Sequence, residues 1–340
     1  MTLKDIADKA GVSMMTVSNV INGKHNRVSA KTIEKINQII KECNYVPNMS
    51  ARSLSNKNSN IILIVIVARN ESDYKQNVLE NPYVSTMLGT IELELRANGY
   101  YTMLRFGETL EELEGLLRNW NIDGIIFLYP ILKEKIHEFI KSSKCPVLIF
   151  DSYLESDEIV RVLSDDEKGL YMSTKYVINR GHRHIAFVGE YKGNPMMEKR
   201  FEGYKQALYE CGIPFRQEYV FPYPQTYEGG IEAGRRIAAL GGNLSAVVTT
   251  ADICAVGVME GARLSGMRVP IDLSVVGYDD LQLCQFTFPK LTSVSQNTKE
   301  KALTSVKLLL EKIRNGQIAG SSKVVLDVEL VERQSVISQF

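Results

Sequence analysis

The chain of 340 residues has room for two ordinary domains and a small third unit. Its 44% hydrophobic and 24% charged residues describe a globular protein with a full core, and 40 Lys+Arg against 40 Asp+Glu exclude a uniformly basic protein. The balance hides an asymmetry: residues 1–60 hold nine Lys/Arg and four Asp/Glu, a charge of +5 that residues 61–340 offset with −5, which points to nucleic acid at one end only.

Leu3 to Ala10 reads as a short helix with Leu3, Ile6, Ala7 and Ala10 on one face. Ser13 then stands as the N-cap of a second helix, Met14 to Asn22. Two helices joined so tightly need a small residue at their contact and a turn that tolerates positive φ, and Ala7 and Gly11 supply these. Val12, Val17 and Val20 fall inward. Ser29 caps a third helix, along which Thr32, Ile33, Ile36 and Ile40 form a stripe. The pattern is a helix-turn-helix with a supporting helix, and its bland alternative is a three-helix bundle without a DNA role. Met14, Met15, Thr16, Ser18 and Asn19 are left pointing outward. Two exposed methionines favour an apolar cover such as thymine methyls, and Asn19 is able to bond an adenine edge bidentately.

Residues 48–60 are small and polar and read as a linker. Within them Asn48–Leu54 spans about two helical turns, too short to persist alone in water, so a flexible tether is the simple reading. From Asn60 onward, strand-length apolar runs alternate with helical patterns. The strands expected are Ile61–Val67, Tyr101–Phe106, Gly124–Tyr129, Pro146–Phe150, Arg161–Leu163, Ile185–Gly189, Tyr219–Phe221, Ala246–Thr249, Val275–Gly277 and Val324–Val331. The helices between them are expected at Ser85–Ala97, Leu110–Arg118, Lys133–Lys141, Glu167–Asn179, Arg200–Cys211, Gly230–Leu240, Ile253–Leu264 and Lys299–Arg314. Repeated βα units imply α/β architecture with two doubly wound parallel sheets behind the small all-α head.

Such sheets bind ligands at the carboxyl ends of their strands. Asp151, Asp252 and Asp279 each follow a strand, Arg200 can fork onto an anionic or hydroxyl group, and Tyr83 can stack on a ring. Each Asp alone is as readily a helix cap, but the set favours a polyol or sugar pocket. Tyr153, Tyr191, Gln225 and Tyr227 are weaker lining candidates. No apolar run reaches the ~18 residues of a membrane span, and no secretory leader precedes Leu3. Five scattered cysteines without a CxxC suggest reduced thiols and a cytoplasmic location. There is no phosphate loop, nucleophile elbow, HExxH or dinucleotide fingerprint, so neither an enzyme nor a cofactor is expected. His182 and His184 lack a third metal ligand and read as a turn into a strand.

The runs Leu3-Lys4-Asp5-Ile6-Ala7, Ala10-Gly11-Val12-Ser13, Thr16-Val17-Ser18 and Val20-Ile21-Asn22-Gly23 resemble the lactose/galactose-repressor (LacI/GalR) family of transcription regulators. So do Val28-Ser29, Tyr45-Val46-Pro47-Asn48, Ala51-Arg52-Ser53-Leu54 and the Arg200-x-x-Gly203-Tyr204 pattern. The resemblance implies that Met14, Met15, Ser18 and Asn19 read bases, while Thr2, Ser13, Thr16, Asn22, Ser29, Thr32, Tyr45 and Asn48 approach the DNA backbone. It implies a hinge helix carrying Ala51 and Leu54, with Leu54 wedged into the minor groove. The body it implies is a two-lobed type I periplasmic-binding-protein-like fold, with chain crossings near residues 162–164, 290–294 and 318–323.

The expected organisation is therefore a DNA-binding domain at 1–47, a hinge and linker at 48–60, and an effector-binding and dimerisation domain at 61–340. One lobe takes about 61–162 and 294–319, the other about 163–291 and 322–340. Two departures from the family pattern are visible: Asn19 replaces the usual Arg, and Ala251-Asp252 replaces the usual Asn-Asp pair. The expected protein is a homodimeric repressor of a near-palindromic operator, controlled by a small effector, most simply a sugar. Without a terminal leucine heptad, a dimer is expected rather than a tetramer. The rival expectations are an effector that is a purine or a phosphorylated carrier protein, or a sugar-binding receptor without a regulatory role.

Overall fold

A computed structural model describes residues 2–21, 23–45, 59–66, 78–106, 110–128, 138–140, 143–154, 156, 158–241 and 244–339. The chain divides into two compact units, Met1–Ser59 and Asn60–Phe340.

In the first unit, α1 (Leu3–Ala10) opens with a capping box in which Thr2 and Asp5 satisfy each other's backbone N–H, and closes on Gly11 at φ +70°. α2 (Met14–Ile21) follows after three residues, Gly11 to Ser13, and α3 (Ala30–Glu42) is capped by Ser29. Ile6, Ala7, Ala10, Val17, Val20 and Ile36 form the buried centre, with Val12, Ile33, Ile40 and Tyr45 packed around it. The predicted helix bounds and inward valines are therefore met. The end of the second helix at Asn22 lies outside the described residues, as does most of segment 48–60.

The second unit holds two six-stranded sheets. The first has the order β11-β5-β4-β3-β1-β2, built from β1 (Ile61–Ile66), β2 (Tyr101–Phe106), β3 (Gly124–Leu128), β4 (Val147–Phe150), β5 (Ile159–Ser164) and β11 (Lys323–Leu326). The second runs β12-β10-β9-β8-β6-β7, from β6 (Ile185–Val188), β7 (Val220–Phe221), β8 (Ala246–Thr249), β9 (Ser274–Asp279), β10 (Thr292–Ser295) and β12 (Glu329–Val331). Every pairing is parallel except that of β12 with β10. Except for the part-exposed edge strands β2, β11 and β12, the strands are buried on both faces because helices cover them: α4 (Pro82–Ala97), α5 (Leu110–Asn119) and α10 (Thr298–Asn315) with the first sheet, and α6 (Asp166–Asn179), α7 (Pro195–Glu210), α8 (Tyr227–Ala239) and α9 (Asp252–Leu264) with the second.

Three expectations need correction. Val324–Val331 is two strands in different sheets, because the chain leaves the first sheet at Asp327 and enters the second at Glu329. β11 pairs with β5, so residues 323–326 belong to the first lobe and the third crossing follows Leu326. β10 went unrecognised, since its Thr-Ser-Val-Ser run lacks the apolar content of a buried strand. Its hydroxyls and amides have specific partners instead: Ser293 donates to Asp252, and Ser335 accepts from the Thr292 N–H. β10 pairs with β9, so the second crossing follows Ser295, while the first follows Ser164. The predicted helix Lys133–Lys141 lies outside the described residues except for the helical turn at 138–140.

Candidate functional site: a base-reading helix and an interlobe polar network

The start of α2 is exposed to solvent. Ser13 Oγ accepts the Thr16 N–H at 3.1 Å and bonds the Thr16 hydroxyl at 2.9 Å. Ser29 repeats this at α3, taking the Thr32 N–H at 3.2 Å. Both helices thus present capped N-termini, where backbone N–H groups and the helix dipole favour phosphate oxygens. Thr2 does the same for α1. Met14 is 54% and Met15 70% exposed, while Thr16, Ser18 and Asn19 are half-buried beside them and Val17 and Val20 face the core. Tyr45 packs against the core cluster. Among the predicted DNA-facing residues, Asn22, Asn48, Ala51 and Leu54 lie outside the described residues.

In the second unit the ends of β4, β5, β8 and β9 converge, and two linked clusters occupy the junction. In one, Asp151 after β4 pairs with Lys301 of α10 and accepts from the Tyr83 hydroxyl at 3.4 Å. Lys301 also donates to Gln296 Oε1 at 3.0 Å, and Gln296 Nε2 donates to Asp279 Oδ1 at 2.5 Å. Ser164, at the end of β5, donates to the same Gln296 oxygen at 3.0 Å. In the other cluster, Arg200 Nε donates to Asp166 Oδ1 at 2.8 Å, and Nη1 to the Thr250 carbonyl at 2.6 Å. The guanidinium lies 3.7 Å from the Tyr278 ring centroid. Tyr153, in the loop after β4, reaches across to donate to Asp166 Oδ2 at 3.1 Å. Gln296 and Tyr153 thus link the two lobes by hydrogen bonds.

Burial pushes the Asp166 carboxyl up, and the Arg200 charge opposes that shift. Burial also works against the Arg200 cation, but Asp166 and its neighbours hold it protonated above the ordinary arginine range. Asp279 stands well above the usual carboxylate range, through burial and then through the nearby Asp252.

Tyr83, Asp151, Arg200 and Asp279 therefore lie at one junction. Asp252 does not join them. Its carboxylate is wholly buried and accepts from the Leu281 N–H at 2.8 Å, Cys284 Sγ at 3.0 Å and Ser293 Oγ at 2.5 Å, so it braces β10 and the loop after β9. Tyr191 stacks on Phe201 at 4.0 Å, Gln225 donates to the Glu190 carbonyl, and Tyr227 begins α8; none is drawn into the network. His182 bonds Ser245 and the Ile337 carbonyl, His184 bonds Tyr219, and no metal-binding group occurs among the described residues.

The network also takes in Gln296 and Lys301, which sequence reasoning missed, and Asp166, which as part of the pair Asp165-Asp166 reads from sequence as a helix cap. Lys301 was legible in principle, because it lies on the buried stripe Lys301, Ala302, Ser305, Val306, Leu309 of α10. Asp166 follows Asp165, which is the actual cap of α6 and accepts the Lys168 N–H.

Burial lifts the Asp252 carboxyl to about 7, against three donors that pull it down. The folded state therefore holds this proton more tightly than the unfolded chain, whose carboxyl has the ordinary value of 3.8. Stability from this site is fully present below that ordinary value and is lost as pH rises through about 7. Thermal midpoints between pH 5 and 8 should fall with this component, and Asp252→Asn, which cannot ionise, should flatten the profile. Parallel profiles in the two proteins would refute the assignment.

A helix-turn-helix unit carried on two doubly wound sheets, with a shared polar junction at their strand ends, is the construction of a ligand-responsive DNA-binding regulator. Residues 2–48 match the family described as bacterial regulatory proteins, lacI family, and residues 174–336 match the periplasmic binding protein-like domain. The chain is 32% identical over 339 residues to catabolite control protein A of Priestia megaterium, covering 98% of each. Its fold is similar to the crystal structure of the lac repressor dimer bound to operator and the anti-inducer ONPF, with a TM-score of 0.85, 27% identity and 99% of each chain covered. A complex of the transcriptional regulator CelR with cellobiose gives a TM-score of 0.72 at 27% identity, covering 98% of this chain and 99% of that one. The chain belongs to the lacI family of bacterial regulatory proteins. It is a DNA-binding transcriptional regulator, and its body has the type I periplasmic-binding-protein-like fold. No described helix is long and apolar enough to cross a membrane.

Proposed function

We propose that the protein is a cytoplasmic, homodimeric repressor that reads a near-palindromic operator through α2 and is controlled by a small polyhydroxylated effector, most simply a sugar, held between the lobes. The observation that carries the DNA reading is the pair of exposed methionines, Met14 and Met15, ahead of Ser18 and Asn19 on a helix whose valines fill the core. Base reading belongs to these four residues. Backbone positioning belongs to Thr2, Ser13, Thr16, Asn22, Ser29, Thr32, Tyr45 and Asn48, and the hinge contact to Ala51 and Leu54. The dimeric lac repressor on its operator supports two-fold docking, and the CelR–cellobiose complex supports a carbohydrate in the cleft. Tyr83, Asp151, Arg200 and Asp279 are the effector-binding set; Asp252 acts behind it as a brace.

The experiment is selection of duplex sites by the full chain and by Asn19→Arg. An asparagine suits adenine and an arginine suits guanine, so one base per half-site should change. Each mismatched half-site should lose about 1–3 kcal/mol, roughly fivefold to over a hundredfold in affinity. Identical preferences would remove Asn19 from the base-reading set, and failure to select any duplex would remove the proposed function.

A further inference from the structure

We propose that Lys301 is a specificity-determining residue of the cleft: an in-chain cation that occupies Asp151 and with which a neutral polyol effector must compete. The proposal rests on the cleft being the effector site. A lysine ammonium has three N–H donors and no acceptor, and here it has three acceptors within reach. These are Asp151 Oδ1, Gln296 Oε1 at 3.0 Å and the Tyr83 hydroxyl oxygen at 3.4 Å. Lys301 is fully buried on the core-facing stripe of α10, where a cation persists only if it is paired and hydrogen-bonded. Asp151 in turn is almost fully buried, and its second oxygen accepts from Tyr83. The carboxylate best placed in the first lobe to take an effector's hydroxyls is already held by the protein's own donors.

The local charge defines what can exchange with it. The junction pairs two carboxylates with two cations, Asp151 with Lys301 and Asp166 with Arg200, and burial holds the third carboxyl, Asp279, well above the usual carboxylate range. An anionic effector entering at Asp151 would set its charge directly against that carboxylate. A neutral polyol instead brings hydroxyl donors, and vicinal hydroxyls suit the two oxygens of one carboxylate as the ammonium does. Its apparent affinity is then lowered by the fraction of molecules in which Lys301 still holds Asp151. Through Gln296 the same ammonium is linked to Asp279 on the second sheet, so the exchange is felt in both lobes.

The test is titration calorimetry of the full chain with ribose, glucose and cellobiose, comparing wild type with Lys301→Met, which keeps an unbranched stem and removes every donor. At least one of these sugars should bind Lys301→Met about tenfold or more tightly than wild type. Adding Asp151→Asn to that variant should cancel the gain, because the carboxylate freed by the first change is gone. Equal affinities, no binding to either protein, or binding to wild type that Lys301→Met abolishes would each overturn the proposal; the last would make Lys301 a donor to the effector. If Lys301→Met does not fold, Lys301→Gln removes the charge and should shift affinity in the same direction, and its failure to do so would also overturn it. Duplex selection by wild type decides the regulatory reading separately, so a protein that selects DNA but shows no such shift fails this inference alone.

Discussion

Replacing Arg200 by methionine is expected to destabilise the second unit by about 3–5 kcal/mol, read as a lower midpoint in urea unfolding. The reason is the carboxylate left behind. The side chains of Arg200 and Asp166 are 3% and 0% exposed, and the pair is a single 2.8 Å charge-assisted hydrogen bond deep in the second lobe. Removing the guanidinium leaves Asp166 with only the Tyr153 hydroxyl at 3.1 Å and the Tyr278 hydroxyl at 3.4 Å. Burial already pushes this carboxyl up, and without the cation it rises further and takes a proton. A raised carboxyl stabilises the fold below its ordinary value and stops doing so as pH climbs through the folded value. The loss should therefore be smaller at pH 5 than at pH 8. Adding Asp166→Asn to the variant should recover much of the loss, whereas simple additivity would mean the two groups do not stabilise each other.

Gly257→Val is expected to lower stability by about 3 kcal/mol or more, beyond the usual cost of overpacking a core. α8 and α9 cross on glycines, and a Cβ built on Gly257 would stand 2.1 Å from the Tyr227 carbonyl oxygen and 2.8 Å from the Gly230 Cα. Both obstacles are backbone, so no rotamer change relieves them and the helices must part. That separation would loosen Ala233, Ile237, Val258 and Ala262, all buried in the cluster between these helices and the second sheet. Gly115→Ala is the control: it lies in α5 with open space around its Cβ position, and should stabilise by about 0.5–1 kcal/mol. Thermal melting of the two variants reads both effects, and a Gly257→Val protein as stable as wild type would mean the helices are not in this close contact.

The head was the most legible part of the sequence. Thr2, Ser13 and Ser29 are short polar residues placed ahead of apolar stripes, and local chemistry alone makes each of them a cap. Strands buried on both faces, such as Ile61–Ile66 and Ala246–Thr249, were equally plain because burial on two sides needs a continuous apolar run. β10 was illegible because its Ser293 and Thr292 are buried through bonds to Asp252 and Ser335, 41 and 43 residues away. Asp252 misled for a related reason. Its position after a strand matched that of Asp151, and only tertiary contacts reveal that Leu281, Cys284 and Ser293 already claim its oxygens. α7 starts at Pro195, five residues ahead of the expected Arg200, because Asn194 caps it and proline suits the first helical position.

The three passages of the chain between the lobes, after Ser164, Ser295 and Leu326, make the body interlaced. A stop codon placed before Lys323 would strip an outer strand from each sheet at once, so neither lobe can be trimmed without injuring its neighbour. Any motion of one sheet against the other must be absorbed at these three passages.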